Sequence, residues 1–273
     1  MSLRLWRRME GRLSRDLCRW FGRRPWPMQS DRPLISFTFD DFPKSAWIVA
    51  GEILREYNLR ATYYISLGLM GGEVPAGQVF EAEDLAELVA DGHELGCHTY
   101  AHCPSWETPS KIFEQEIIKN AQALKRLFPR MLFQSLSWPI SCPRPQTKRL
   151  AAKYFAGCRG GGQNFNIGTM DLNYLQAFFI EQSRQNPDLI MDVIQRNSAA
   201  RGWLILATHD VGQQPSRLGC TTALLRNIVQ RAIDSGAEIV PVGQALHRLG
   251  VSLAPKALNS QGTTRIEPCS LES

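Results

Sequence analysis

Short β-forming runs alternate with amphipathic segments along most of this chain, and that alternation constrains its fold more than any composition value. The runs are 34–40, Ala61–Ser66, Glu94–His98, Leu132–Trp138, Tyr154–Cys158, Leu175–Ile180, Trp203–Thr208 and Glu238–Val242. Helical patterns occupy 45–57, 82–91, 109–127, 145–153, 187–200 and 220–235, and the 82–91 segment closes on Asp91-Gly92, an ordinary C-terminal stop. Seven or eight strand–helix units without an internal repeat predict a barrel-like α/β fold. In such folds chemistry collects where strands end and loops begin.

Three of those strand ends carry unusual residues. Leu34-Ile35-Ser36-Phe37-Thr38-Phe39 reads as a strand buried on both faces, and it stops abruptly at Asp40-Asp41, with Pro43 unable to continue a ladder. Neighbouring strand residues point to opposite faces, so the two acids share a site only if the chain turns there. Two acids ending a buried strand are costly, and a metal ion is the simplest compensation. The second strand end, Gly96-Cys97-His98-Thr99-Tyr100-Ala101-His102, places two histidines four apart, which a helical turn would bring to one face. The alternative is two unrelated histidines. With Asp41 they form two imidazoles and a carboxylate, a hydrolytic zinc set with one position left for water. The third end, after Trp203–Thr208, is His209-Asp210: either a general acid or a structural histidine.

Taken together, Thr38-Phe39-Asp40-Asp41, His98-Thr99-x-x-His102 and Leu206-x-x-His209-Asp210 resemble, in order and approximate spacing, the motifs of the polysaccharide deacetylases, the NodB-like family of carbohydrate esterases. The resemblance spans roughly residues 31–250. It implies a distorted (β/α)7 barrel and a hydrolase that removes acetyl groups from an N- or O-acetylated polysaccharide, oligosaccharide or glycolipid. It makes Asp40 the base, Asp41, His98 and His102 the metal ligands and His209 the acid. The implied cofactor is a divalent metal, Zn2+ first, with Co2+ or Ni2+ as alternatives.

One family element has departed. The family's Arg-x-Pro-Tyr corresponds here to Ser137-Trp138-Pro139-Ile140-Ser141, which lacks the arginine that holds the base and the tyrosine whose backbone N–H serves the oxyanion. A backbone N–H at Ile140 survives that change, because the role needs no particular side chain. Arg144 and Arg159 are candidates to replace the lost charge, and Trp138 is either core or a sugar-stacking surface. The family's later Asp-containing element is not evident. Arg159-Gly160-Gly161-Gly162-Gln163-Asn164 stands there, reads as a flexible loop and lacks the Gly-Lys-Ser/Thr of a phosphate loop. Asp171 is not assigned to the site, and Cys97 and Cys103 read as packing thiols. The competing reading is a non-catalytic, metal-stabilised carbohydrate-binding relative, against which the retained Asp40 and His209 argue.

Charge and composition narrow the setting. The first 26 residues hold eight arginines against Glu10 and Asp16, while the rest carry 23 basic and 24 acidic groups, so the net charge of +5 is local and no nucleic-acid surface is indicated. Residues 3–21 set Leu5, Met9, Leu13 and Leu17 four apart among arginines, a basic amphipathic helix pattern. It predicts either peripheral contact with an anionic membrane surface or a helix packed on the domain with a solvated face. The arginines interrupt any apolar core of a secretory signal, and no run approaches the ~18 apolar residues of a membrane span. Seven scattered cysteines form no disulfide framework, so the expected setting is cytoplasmic, peripheral at the inner membrane where the helix makes contact. The organisation expected is a basic helix over 1–26, a linker over 27–32, the catalytic domain over 33–252 and a disordered tail over 253–273.

Overall fold

The computed structural model describes residue 18 and residues 20–252. The helix expected over 1–26 lies largely outside those residues, and the tail expected over 253–273 entirely so.

All eight expected strands are present; Trp203–Thr208 keeps its expected bounds, and the other seven are shorter than their apolar runs. They are β1 (Leu34–Phe39), β2 (Thr62–Ile65), β3 (Glu94–Cys97), β4 (Ser135–Ser137), β5 (Gly157–Arg159), β6 (Phe178–Phe179), β7 (Trp203–Thr208) and β8 (Glu238–Ile239). Seven form a curled, wholly parallel sheet in the order β6-β7-β1-β2-β3-β4-β5, and β8 pairs with the first residues of β1. Between the strands or after them run α1 (Ala50–Glu56), α2 (Ala82–Ala90), α3 (Ser110–Leu127), α4 (Pro145–Ala151), α5 (Asp188–Ala200), α6 (Thr222–Asp234) and α7 (Val242–Arg248). The ends of the sheet meet without a continuous ladder: the segment entering β6 touches β5 at the bridge Arg159↔Leu175. This is the distorted (β/α)7 barrel.

β1 is the axis of the molecule. All six of its residues are buried, as a strand covered on both faces requires. Ile35, Phe37 and Phe39 join the large core under the helices, whereas Leu34 joins a second core with Trp203, Ile205, Val242 and Leu246. Ser36 and Thr38 alternate with the first set, and Ser36 accepts from Trp203 Nε1 at 3.0 Å. The interior side of β1 is therefore apolar at its start and increasingly polar towards Asp40.

Two segments differ from expectation. Val242 does not extend the last strand but opens α7, because Pro241 cannot continue a ladder and the Val242 N–H donates instead to Thr62 Oγ1 at 2.9 Å. The expected linker over 27–32 begins as structure: Pro25–Met28 pairs antiparallel with Gly168–Asp171, on an edge where proline is tolerated. Arg24 fixes its start, donating to the carbonyls of Phe155 (3.1 Å) and Ala156 (2.6 Å). Asp171 serves this joint, accepting from Arg24 N at 2.8 Å and pairing with buried Lys148 at 2.7 Å.

Candidate active site

The ends of β1, β3, β4, β6 and β7 converge on one cavity of about 510 Å3, which Asp40, Asp41, His98, His102 and His209 all line. The turn demanded by adjacent acids is there. Asp41 and Phe42 have φ of +58° and +46°, so the chain reverses its twist directly after Asp40. Left-handed backbone is unfavourable for such residues and persists only where surroundings enforce it. Here Phe42 is buried with its ring 4.8 Å from Tyr63 and 5.0 Å from Phe80.

His98 and His102 do meet, though not by a helical turn. The loop between them uses left-handed Thr99 (φ +60°) and His102 (φ +53°). Thr99 Oγ1 closes it by accepting from Cys103 N at 2.8 Å. Asp41 Oδ1 lies 3.6 Å from His98 Nε2 and 3.4 Å from His102 Nε2. Ligands about 2.0–2.1 Å from a tetrahedral cation stand about 3.4 Å apart, so both Asp41–imidazole separations match a coordination edge, and all three atoms lie within 4.8 Å of one another. Asp41 Oδ1 is also buried without a hydrogen-bond donor. His98 Nδ1 is 2.8 Å from the Ser137 carbonyl, which can only accept, so Nδ1 carries the proton and Nε2 offers a lone pair. Burial holds this imidazole down to about 4, keeping it neutral. On donor type, spacing and tautomer, the set fits a divalent cation.

Asp40 sits beside this cluster with a separate set of partners. Ser137 Oγ donates to it at 3.2 Å, and Arg159 Nη2 pairs with both carboxylate oxygens and with Ser137 Oγ. Burial alone would raise Asp40, but Arg159, His98 and His209 outweigh it and hold the carboxyl down to about 2. Arg159 is fully buried, its guanidinium 5.3 Å from the Tyr64 ring and 5.2 Å from the Phe179 ring. Ser137 and Arg159 are register partners on β4 and β5. The charge missing from the Ser137 position is thus supplied from the next strand. Arg144, the other candidate, is committed elsewhere, donating to the Thr108 carbonyl.

His209 Nε2 faces Asp41 Oδ2 at 4.0 Å, and its Nδ1 donates to the Leu218 carbonyl at 3.2 Å. Asp210 does not touch that ring. It accepts from Ser216 N and Ser216 Oγ, both at 2.6 Å, and so fixes the loop that carries Leu218. Ile140, at φ +60°, stands 71% exposed on the cavity lip. Trp138 is core: it is 1% exposed and donates to the Asn173 carbonyl. The glycine run after Arg159 is close packing rather than a flexible loop, since a Cβ at Gly160 would lie 2.1 Å from the Tyr174 ring. Asp171 is engaged at the Arg24 joint, and Cys97 is a buried thiol contacted by Asn120 Nδ2 at 3.3 Å. Residues that sequence reading did not single out are Ser137 as a partner of Asp40, the ring pair around Arg159, and Glu181. Glu181 lines the cavity wall, and burial pushes its carboxyl up to about 7.

Residues 28–156 match the family described as Polysaccharide deacetylase. The chain is 25% identical over 230 residues to a chitin deacetylase of Colletotrichum lindemuthianum, covering 80% of this chain and 82% of that one. In three dimensions it resembles the Xyl-CE4 domain of a multidomain xylanase from a Trinervitermes trinervoides hindgut metagenome (TM-score 0.57, 17% identity, covering 83% of this chain and 96% of that one). It also resembles a family 4 acetyl xylan esterase from Clostridium thermocellum in complex with a cobalt ion (TM-score 0.54, 18% identity, covering 83% and 96%). The sequence match, the strand-end motifs and the shared barrel agree: over residues 28–156 in sequence, and over the barrel in fold, the chain is similar to the NodB-like polysaccharide deacetylases, a family of carbohydrate esterases.

Proposed function

We propose that this protein is a metal-dependent hydrolase that removes acetyl groups from an acetylated carbohydrate. The observation that carries the reading is the pairing of two sites at one strand end: a donorless Asp41 oxygen beside two imidazoles, and an ion-paired Asp40 next to it. Similarity to a chitin deacetylase and to a xylan esterase supports an acetylated glycan as substrate.

Asp41, His98 and His102 would hold the cation, with Zn2+ the first choice on donor type and Co2+ or Ni2+ as alternatives. Bound there, it would supply a water acidified from 15.7 towards ~7 and polarise the acetyl carbonyl. The remaining work belongs to the chain. Asp40, held to about 2, is ionised at every working pH. Proton transfer to so weak a base is uphill from a resting water, so Asp40 would orient the attacking water and take its proton only as the new C–O bond forms. Arg159 keeps the carboxylate charged and aimed. His209 Nε2, with its ring orientation set by Leu218, lies across the cluster, where it can protonate the departing amine or alkoxide. The Ile140 N–H is the backbone donor for the oxyanion. The non-catalytic alternative loses its main support, since the arginine absent from the family motif is replaced by Arg159.

The test is acetate release from N- and O-acetylated oligosaccharides with bound metal counted in parallel. Wild type should bind close to one divalent ion and release acetate. Asp40→Asn should keep the metal and lose turnover, and His98→Ala should lose both. Metal bound without acetate release from any substrate would sink the hydrolase reading.

A further inference from the structure

The catalytic cavity does not end at its own wall. Glu181, Gln182 and Arg217 also line a second cavity of about 870 Å3, continued by Arg184, Gln185 and Asn227. A substrate group on the metal cluster therefore has a neighbouring space into which the rest of the molecule can extend.

That space has a sign. Two guanidinium groups line it against one carboxyl, Glu181, which burial lifts to about 7, so its charge opposes an incoming anion only in part near neutrality. Ala223 and Leu224, in the first turn of α6, close the far side, and the backbone dipole there has the same sign as the arginines.

Arg217 is also held in place. Asp210 fixes Ser216 through two hydrogen bonds of 2.6 Å, and Arg184 Nη1 donates to the Ser216 carbonyl at 2.6 Å. The next residue, Leu218, orients His209. Arg217 itself is exposed and has no hydrogen-bond or ion-pair partner among the described residues. One tethered loop thus positions His209 and presents an uncommitted cation at the junction of the two cavities.

We propose that the second cavity is a subsite for the neighbouring unit of the glycan, and that it takes a unit bearing a carboxylate or phosphate, held by Arg217. The proposal rests on the deacetylase reading above. A neutral sugar could use Gln182, Gln185 and Asn227 equally well, so the arginines are what discriminate. Because Arg217 is exposed, the selectivity is modest and screened by salt.

Isothermal titration of the zinc-loaded full chain would use three acetylated tetrasaccharides of one backbone: with uronate carboxylates, with those carboxyls reduced to hydroxymethyl, and with a phosphate monoester instead. At low salt an anionic tetrasaccharide should bind about tenfold more tightly than the reduced one. The gap should close as salt is raised, vanish in Arg217→Ala and survive in part in Arg217→Lys. Whichever anion shows the larger gap identifies the ligand. Equal affinity for charged and reduced forms in wild type, or an unchanged gap in Arg217→Ala, overturns the proposal. Binding is read directly, so failure to release acetate from any of the three would overturn the deacetylase reading alone and leave this comparison to decide the subsite.

Discussion

Arg159 and Ser137, register partners on adjacent strands, reach the same carboxylate, Asp40. The arginine expected at the end of β4 has in effect moved one strand over without changing its target. Removing it leaves a buried acid with no countercharge. Arg159→Ala should destabilise the fold by about 3–5 kcal/mol, as for other buried pairs broken from one side. Turnover should fall about 100-fold or more, as when a positioned acid–base group is disabled. Arg159→Lys should recover little, because a single ammonium cannot also stack between Tyr64 and Phe179. Urea melts and acetate-release kinetics report both effects, and the Ser137→Arg/Arg159→Ser double variant should restore part of the turnover. Full activity in Arg159→Ala would refute the assignment.

Removal of the metal gives a second expectation. The donorless Asp41 oxygen means that the cluster holds an uncompensated charge until a cation binds. Dialysis against a chelator should abolish acetate release and lower the thermal midpoint, and Zn2+ should restore both. With free metal at 100 times its dissociation constant the stabilisation is about 2.7 kcal/mol. His102→Ala should remove the metal-dependent shift. An unchanged melting curve with and without Zn2+, alongside no bound metal, would refute the ligand set.

The sequence was most legible where an apolar run met polar residues, because burial and ladder termination are local properties of composition. That is why Asp40, Asp41, His98 and His209 could be placed at strand ends. The means by which they converge was not legible. Nothing in Asp41-Phe42 announces left-handed backbone, since Phe42 is held there by Tyr63 and Phe80 from elsewhere in the chain. The four-residue spacing of His98 and His102 suggested a helical turn, whereas Thr99 bonded to Cys103 N gives the same convergence as a loop. Arg159 could be named only as one of two candidates, because the register that sets it beside Ser137 is a tertiary fact. Val242 continued an apolar run and looked like strand; its N–H is taken by Thr62, which lies 180 residues away.

Ile140 offers a test that separates backbone from side chain. It is β-branched, at φ +60° and 71% exposed, so it holds a strained conformation with little packing in return. Ile140→Gly keeps the N–H proposed as oxyanion donor and relieves the strain. Stability should be unchanged or higher by up to about 1 kcal/mol, with the added freedom of the unfolded chain offsetting part of the gain. Turnover should stay within a few-fold of wild type. A loss of two orders of magnitude in kcat would show that the side chain, not the amide, is what the site uses.

Glu94, half-buried at the start of β3, sets a dependence of stability on pH. Burial lifts its carboxyl to about 7, even though Gly243 N donates to it at 2.7 Å and Ser135 Oγ at 3.4 Å. The folded chain therefore holds a proton that the unfolded chain releases near 4.3. Between these values the folded state binds more protons, so stability from this group is fully present below about 4.3 and declines as pH rises to about 7. Glu181 is shifted in the same direction, so the whole-protein curve does not isolate either group. The difference between Glu94→Gln and wild type does. The variant should gain on wild type progressively from pH 4.5 to 7 and then hold a constant advantage, as read from urea midpoints at each pH. A difference that stays flat across that window would mean that Glu94 is charged in the folded protein and that its surroundings compensate it.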